Sequence, residues 1–258
     1  MNRYFIYLQF DGTRYHGWQI QPNGNSVQEE LQRALTTLLR QPIEVVGAGR
    51  TDAGVHAHRM VAHFDVPSTL DSRPSALDQL AYKLNRFLPH DISIETIKPV
   101  DSTMHARFSA ISRTYHYYIH RQKAPFNRHY SVEMHYDLDF DAMNEAASHL
   151  LSVDDFGAFC KAGSDVKTTL CKVTEAHWVP CSDPSTLDPR PSTSMCFIIT
   201  ANRFLRNMVR AVVGTLIEVG RHRITIEEFD NIVAGRQRTA AGESMPAHGL
   251  FLWDVEYE

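Results

Sequence analysis

Residues 43–66 read IEVVGAGRTDAGVHAHRMVAHFDV. Two apolar runs flank a glycine-dense loop. The first, 43–48, is β-branched and predicts a strand. In the second, 59–66, Met60, Ala62, Phe64 and Val66 alternate onto one side, the period of a strand with a face toward a core. The loop 47–54 reads Gly-Ala-Gly-Arg-Thr-Asp-Ala-Gly, with Asp52 at its centre and Arg50 two residues before it. Glycines permit positive φ and close approach of other backbone or ligand. One reading is a tight turn in which Asp52 accepts backbone hydrogen bonds. Another is a phosphate cradle. The spacing is not G-x-G-x-x-G, no Lys-Ser/Thr follows, and a strand comes next. His56 and His58 form an H-x-H pair whose rings share one strand face, with His63 further on, a pattern able to hold a metal. The cysteine spacing lends a metal no support, and none is expected.

Outward from this stretch, 4–10 (YFIYLQF) predicts a strand ending at Asp11-Gly12. Ser26 and Glu29 form a capping-box pattern, opening a helix with Val27, Leu31, Ala34, Leu35, Leu38 and Leu39 on one face, ended by Pro42. A second helix follows Pro74, with Leu77, Leu80, Ala81, Leu84 and Leu88 as its stripe, and 92–97 is another strand. The order β-α-β-β-α-β is ferredoxin-like. In the second half, strands are expected over 114–120, 171–179, 194–201 and 250–255. Helices are expected over 139–150, over 203–219 ending at Gly220, and from the Thr225/Glu228 capping box to Gly235. The Pro/Ser/Asp stretch 181–193 reads as a flexible hairpin tip. The expected class is α+β: two ferredoxin-like or RRM-like halves, 1–103 and 104–258, sharing a mixed, mostly antiparallel central sheet flanked by helices.

Length and composition agree. The 258 residues are 43% hydrophobic and 22% charged, ordinary for a globular chain and wrong for disorder or coiled coil. The opening MNRYFIYLQFDG lacks the pattern of a signal peptide, and no run reaches the length of a membrane helix. Four widely spaced cysteines suggest reduced thiols, so a cytoplasmic protein is expected.

The net charge of −4 excludes a generic, strongly basic nucleic-acid binder. Its distribution is uneven. Residues 102–132 contain no Asp or Glu but hold Arg107, Arg113, Arg121, Lys123 and Arg128 among Tyr115, Tyr117, Tyr118 and Phe126. A second acid-free run, 189–217, holds Arg190, Arg203, Arg206 and Arg210. Arginines for phosphates beside aromatic faces for splayed bases suit RNA. A solvated basic face over buried strand tyrosines is the plainer alternative.

The stretch Gly49-Arg50-Thr51-Asp52-Ala53-Gly54-Val55-His56 closely resembles the signature loop of the tRNA pseudouridine synthase A family. The resemblance is collinear along the chain. It includes Tyr7 to Gly12 with Gly17-Trp18-Gln19, Ser26-Val27-Gln28, His105 to Ala110, and Arg113 to Tyr117. It continues through Asn202, Phe204-Leu205, Met208-Val209-Arg210, Gly214, Glu218-Val219-Gly220, Pro246 and Gly249-Leu250. His248 stands where the family commonly has an acid. The resemblance implies isomerisation of uridine to pseudouridine at positions 38, 39 and 40 of the tRNA anticodon stem-loop. The C1′–N1 bond breaks and the base rejoins through C5. No atoms are gained or lost, so no cofactor is required. The target nucleotide must leave its stack first. Asp52 is the implied nucleophile, by attack at the ribose, by attack at the uracil ring, or through a glycal.

Among the implied substrate-binding residues, Arg210 resembles the arginine that pairs with the catalytic carboxylate. Tyr115 resembles the tyrosine that stacks on the flipped base. Arg50 is a candidate to fill the vacated space, and Phe204 and Leu205 to line the base pocket. Recognition of several positions on varied tRNAs implies reading of shape and backbone. The implied partners are tRNA and, as a homodimer, a second copy. A metal-dependent hydrolase using His56, His58 and Asp52, and a non-catalytic RNA-binding module, are the competing readings.

Overall fold

The computed structural model describes residues 1–22, 24–67, 73–163, 166–181 and 194–258. The chain is α+β, as expected, with a mixed, mostly antiparallel sheet flanked by helices. It divides into two compact units. One comprises Met1–Ile111 with Phe251–Glu258, the other Ser112–Leu250.

The first unit carries β1 (Asn2–Phe10), α1 (Val27–Leu39), β2 (Val45–Gly47), β3 (His56–Val66), α2 (Pro74–Phe87) and β4 (Ile92–Val100). β4, β1, β3 and β2 lie side by side, all antiparallel, which is the ferredoxin-like arrangement read from the element order. The last strand of the chain, β9 (Leu250–Tyr257), runs parallel to the start of β3 at His56 and Ala57. β3 is therefore central, and it is buried on both faces: Met60, Ala62, Phe64 and Val66 on one, Val61 and His63 on the other. The alternation was legible, but the burial of its second face was not. Ser26 caps α1 by accepting from the Glu29 N–H at 3.3 Å, and Pro74 opens α2. The stripe of α2 is buried, as are Val27, Leu31, Ala34 and Leu35 of α1, while Leu38 and Leu39 at the end of α1 are only half-buried.

The second unit holds all but the first two residues of β5 (Ala110–His120), with β6 (Val132–Glu133), α3 (Phe140–His149), β7 (Val173–Pro180), β8 (Ser194–Ala201), α4 (Met208–Gly220) and α5 (Ile226–Gly235). β5, β8 and β7 are antiparallel neighbours, and β6 runs parallel to β5. Asp139 caps α3, and Thr225 with Glu228 forms a complete capping box on α5. Phe156, Phe159, Phe197 and Phe229 are fully buried. The predicted hairpin tip 181–193 lies almost wholly outside the described residues.

One helix boundary is corrected. Apolar periodicity extends α4 back to residue 203, yet it begins at Met208. Asn207 adopts a left-handed conformation (φ 66°), which a continuous helix cannot contain. A turn closed by Met208 N–H on the Leu205 carbonyl at 3.1 Å precedes it. Arg203 and Arg206 therefore stand outside the helix and share no helical face with Arg210.

Candidate active site

The Asp52 loop is shaped mainly by backbone. Val55 N–H donates to the Asp52 carbonyl at 3.2 Å, closing a turn in which Gly54 has φ +77°. A second segment, 11–18, lies directly against this turn. Trp18 N–H donates to the Thr51 carbonyl at 3.4 Å, and Gly54 N–H donates to the Tyr15 carbonyl at 3.3 Å. The approach is too close for side chains. A Cβ on Gly12 would sit 2.0 Å from the Val55 oxygen, and one on Gly17 would sit 2.2 Å from the Thr51 oxygen. Gly17 also has φ +91°, open only to glycine at low cost. Gly47, at the end of β2, leaves the room that the Trp18 indole occupies. Tyr15 is tied down in turn, its hydroxyl donating to Asp91 at 2.6 Å. Burial first, then that carboxylate, pushes the Tyr15 phenol above its usual range. Asp52 is half-buried within this clasp and Arg50 is exposed. The Thr51 hydroxyl is buried without a hydrogen-bond partner among the described residues.

His56 belongs to the clasp. Its Nδ1 accepts from the Gly12 N–H at 3.0 Å, and its ring stacks on Phe251 at 4.6 Å. That acceptor role places the proton on Nε2, so the 3.1 Å approach of an Asp11 oxygen to Nδ1 is proximity rather than an ion pair. Asp11 instead accepts from the Thr13 N–H and hydroxyl. His58 is exposed and stacks on Trp253 at 4.1 Å. The two rings share a face, as the H-x-H spacing requires, but they are spent on aromatic partners. Among the described residues no group of three or more His, Cys, Asp or Glu side chains could hold a metal.

The other candidates lie in the second unit. Tyr115, on β5, is half-buried and meets Phe204 edge-on with centroids 4.9 Å apart, so the structure brings these two together. Leu205 is buried in the turn ahead of α4. Tyr117 is core: fully buried, its hydroxyl donating to the Pro246 carbonyl at 2.8 Å. Arg210, in the first turn of α4, donates through Nε to the Met245 carbonyl at 2.5 Å, and the Met245 N–H returns a bond to the Arg210 carbonyl at 3.1 Å.

The strap 242–245 that holds Arg210 is itself sewn down. Gly242 N–H donates to the Thr215 hydroxyl at 2.9 Å. Arg238 reaches the Gly242 carbonyl and the Ser244 hydroxyl at 3.0 and 2.8 Å, and Asn207 also bonds Ser244. Gly214 permits this, since a Cβ there would lie 1.8 Å from the Glu243 oxygen. Sequence reasoning missed the roles of Tyr15, Asp91, Arg238 and Ser244. The glycines at 12, 17 and 214 were visible only as letters of motifs. Among the described residues no helix is long and apolar enough to cross a membrane.

Comparison with known proteins shows which family the chain resembles. Residues 6–109 and 146–258 match the tRNA pseudouridine synthase family. Over 257 residues the chain is 51% identical to tRNA pseudouridine synthase A of Bacteroides thetaiotaomicron, covering 100% of this chain and 91% of that protein. It is 50% identical over 257 residues to the protein of the same name from Porphyromonas gingivalis, covering 100% and 98%. It is 37% identical over 255 residues to that of Bacillus subtilis, covering 97% of each.

Proposed function

The chain belongs to the tRNA pseudouridine synthase family, and from that premise we propose that it isomerises uridine to pseudouridine at positions 38, 39 and 40 of tRNA anticodon stem-loops. Asp52 is the proposed nucleophile. The observation that carries this role is its setting. A half-buried carboxylate stands on a turn whose backbone is fixed by a second segment at two glycine contacts. A nucleophile works best when held in place before the substrate arrives, because the geometric ordering is then complete. A plain surface turn has no need of such a clasp.

The remaining roles follow the same reading. Tyr115, steadied edge-on by Phe204, offers a ring face to an extruded uracil. Leu205 closes the apolar side. Arg210 is a substrate-binding arginine whose Nε is committed to Met245. Arg50, exposed beside Asp52, takes the space the base leaves. The reaction breaks C1′–N1 and forms C1′–C5; the C5 proton leaves and N1 takes one up, with no net change in composition. The step therefore needs no oxidant or reductant. The proposed setting is the cytoplasm, with the protein as a homodimer.

The test is direct. Unmodified tRNA transcripts incubated with the purified protein and chelator gain pseudouridine at 38–40, and Asp52→Asn yields none while melting like wild type. A well-folded wild-type protein that makes no pseudouridine removes the proposal. So does an Asp52→Asn variant that turns over normally, for the role of Asp52.

A further inference from the structure

The loop joining β5 to β6, residues 121–131, presents an aromatic ring where burial would be expected. Phe126 is 91% exposed, the most exposed of the large hydrophobic side chains in the described residues, and Tyr130 in the same loop is 42% exposed. An apolar ring left in water forgoes the burial that drives folding, and isolated exposure of this degree at a loop tip serves no packing. The loop is nonetheless built. Asn127 N–H donates to the Ala124 carbonyl at 3.0 Å, and Tyr130 and Ser131 N–H both donate to the Asn127 carbonyl, at 2.8 and 2.9 Å. Arg128 donates to the Pro125 carbonyl. At the base, His120 and Ser131 are hydrogen-bonded at 2.9 Å within the buried interior. Phe126 is thus displayed by a chain already ordered, so less conformational entropy is lost when a partner takes it.

The charges around it choose the partner. Arg121, Lys123 and Arg128 are exposed within this loop, which contains no acid. Arg121 meets Asp137, from beyond the loop, at 2.9 Å, and both are exposed. A ring that shares its loop with exposed cations suits an anionic partner better than an apolar one. A nucleic acid uses both, with phosphates on the cations and a base face on the ring.

We infer that loop 121–131 is an RNA-stacking arm: Phe126 stacks on an unpaired base of the tRNA while Lys123 and Arg128 hold the flanking phosphates. The inference rests on tRNA being the substrate. It adds a contact that serves binding and leaves the bond-breaking steps alone. Stacking on a π-face is tolerant of sequence, which fits an enzyme that must accept varied tRNAs.

The experiment compares Phe126→Ala, Phe126→Leu and Phe126→Trp with wild type, measuring tRNA Kd at fixed salt and single-turnover rate at saturating tRNA. Phe126→Ala weakens binding about tenfold. Phe126→Leu keeps apolar bulk without a π-face and weakens it nearly as much. Phe126→Trp binds as well as wild type, and its added indole fluorescence is quenched on binding. The saturated rate changes by less than about twofold in all three. Kd within about twofold of wild type for Phe126→Ala, or full affinity for Phe126→Leu, overturns the stacking arm. The first of these outcomes would leave the ring to a protein partner. The arm and the chemistry fail separately. Wild-type protein that binds tRNA through Phe126 but makes no pseudouridine loses the proposed reaction and keeps the arm. Normal product with an indifferent Phe126 does the reverse.

Discussion

The loop that carries Asp52 and the loop that carries Phe126 are made by opposite methods. The first is held from outside: segment 11–18 presses backbone against backbone, and glycines at 12 and 17 remove the side chains that would prevent it. The second is held from within, by turns that use its own carbonyls, and most of its side chains, Phe126 foremost, point to water. A reacting carboxylate must sit within a fraction of an ångström of its target, so rigidity imposed by a neighbour is useful there. A contact loop must present a face to many substrates, so local turns and exposed rings suffice. The difference predicts that the two loops respond to substitution in different currencies, rate for one and affinity for the other.

The sharpest break is Asp52→Asn. It preserves shape, exchanges one acceptor oxygen for a donor, and removes the nucleophile, so single-turnover rate falls on the order of 10⁴-fold or more, with tRNA Kd nearly unchanged. A loss confined to Kd would place Asp52 on the affinity side and end the contrast. Gly17→Ala comes next. Its Cβ would lie 2.2 Å from the Thr51 oxygen, at a φ of +91° that alanine adopts poorly. The chain must shift or strain, at about 3 kcal/mol of stability. Because the Thr51 backbone moves with it, the rate falls about a hundredfold. Chemical denaturation and saturated single-turnover kinetics on the same sample check both figures. Normal rate in a destabilised protein would show the clasp to be structural only.

These contacts also mark where the sequence stops being informative. Local signals were legible because their causes are local. Ser26 three residues before Glu29, Pro74 at the head of α2, and Thr225 with Glu228 each specify a helix start through atoms a turn away. The strand-loop-strand reading of 43–66 survives for the same reason, with β2 shorter and β3 longer than drawn. The start of α4 was misread because Phe204 and Leu205 continue an apolar period, while the left-handed Asn207 depends on the distant Ser244 strap. The need for glycine at 12 and 17 comes from carbonyls of Val55 and Thr51, and no spacing rule reaches that far. Asp52, Tyr115 and Arg210 could be named from motifs. That Tyr115 leans on Phe204, and Arg210 on Met245, required coordinates.

Residues 104–109 stand between the two methods, and pH should separate them. Their backbone is clasped by side chains that titrate. Ala106 N–H donates to His63 Nδ1 at 3.2 Å, and Arg107 and Phe108 N–H donate to His105 Nδ1 at 3.1 and 3.3 Å. Burial first, then the charge of Arg3 and the neighbouring His105, lowers the His63 pKa from 6.5 to about 4, with Asp65 pulling weakly the other way. The folded protein thus keeps His63 neutral to about pH 4, whereas the unfolded chain takes up that proton near 6.5. Between those values the unfolded state binds more protons, so the contribution is complete above pH 6.5 and is lost as pH falls toward 4. About 2 kcal/mol is expected from His63. His105, His120 and His248 are shifted in the same direction and add to the slope. Urea midpoints at pH 7 and pH 5 should differ in wild type and differ less in His63→Gln. Equal slopes in the two proteins would remove His63 from the account.

The smallest effect tests whether glycine itself, or only glycine in contact, makes the clasp. Gly49 lies in the same loop as Asp52, three residues before it. Yet an added Cβ there meets nothing within 4 Å. Sequence reasoning treats Gly49 and Gly17 alike, as letters of stretches that resemble the family. Geometry does not. Gly49→Ala should change stability by less than about 0.5 kcal/mol, with the loss of unfolded-state freedom favouring the alanine if anything. Its single-turnover rate should stay within about threefold of wild type, against the hundredfold fall at Gly17. A large rate loss at Gly49 with normal stability would mean that the open space beside it is used by the bound RNA. The Asp52 loop would then combine both methods, clasped by segment 11–18 on one side and read by substrate on the other.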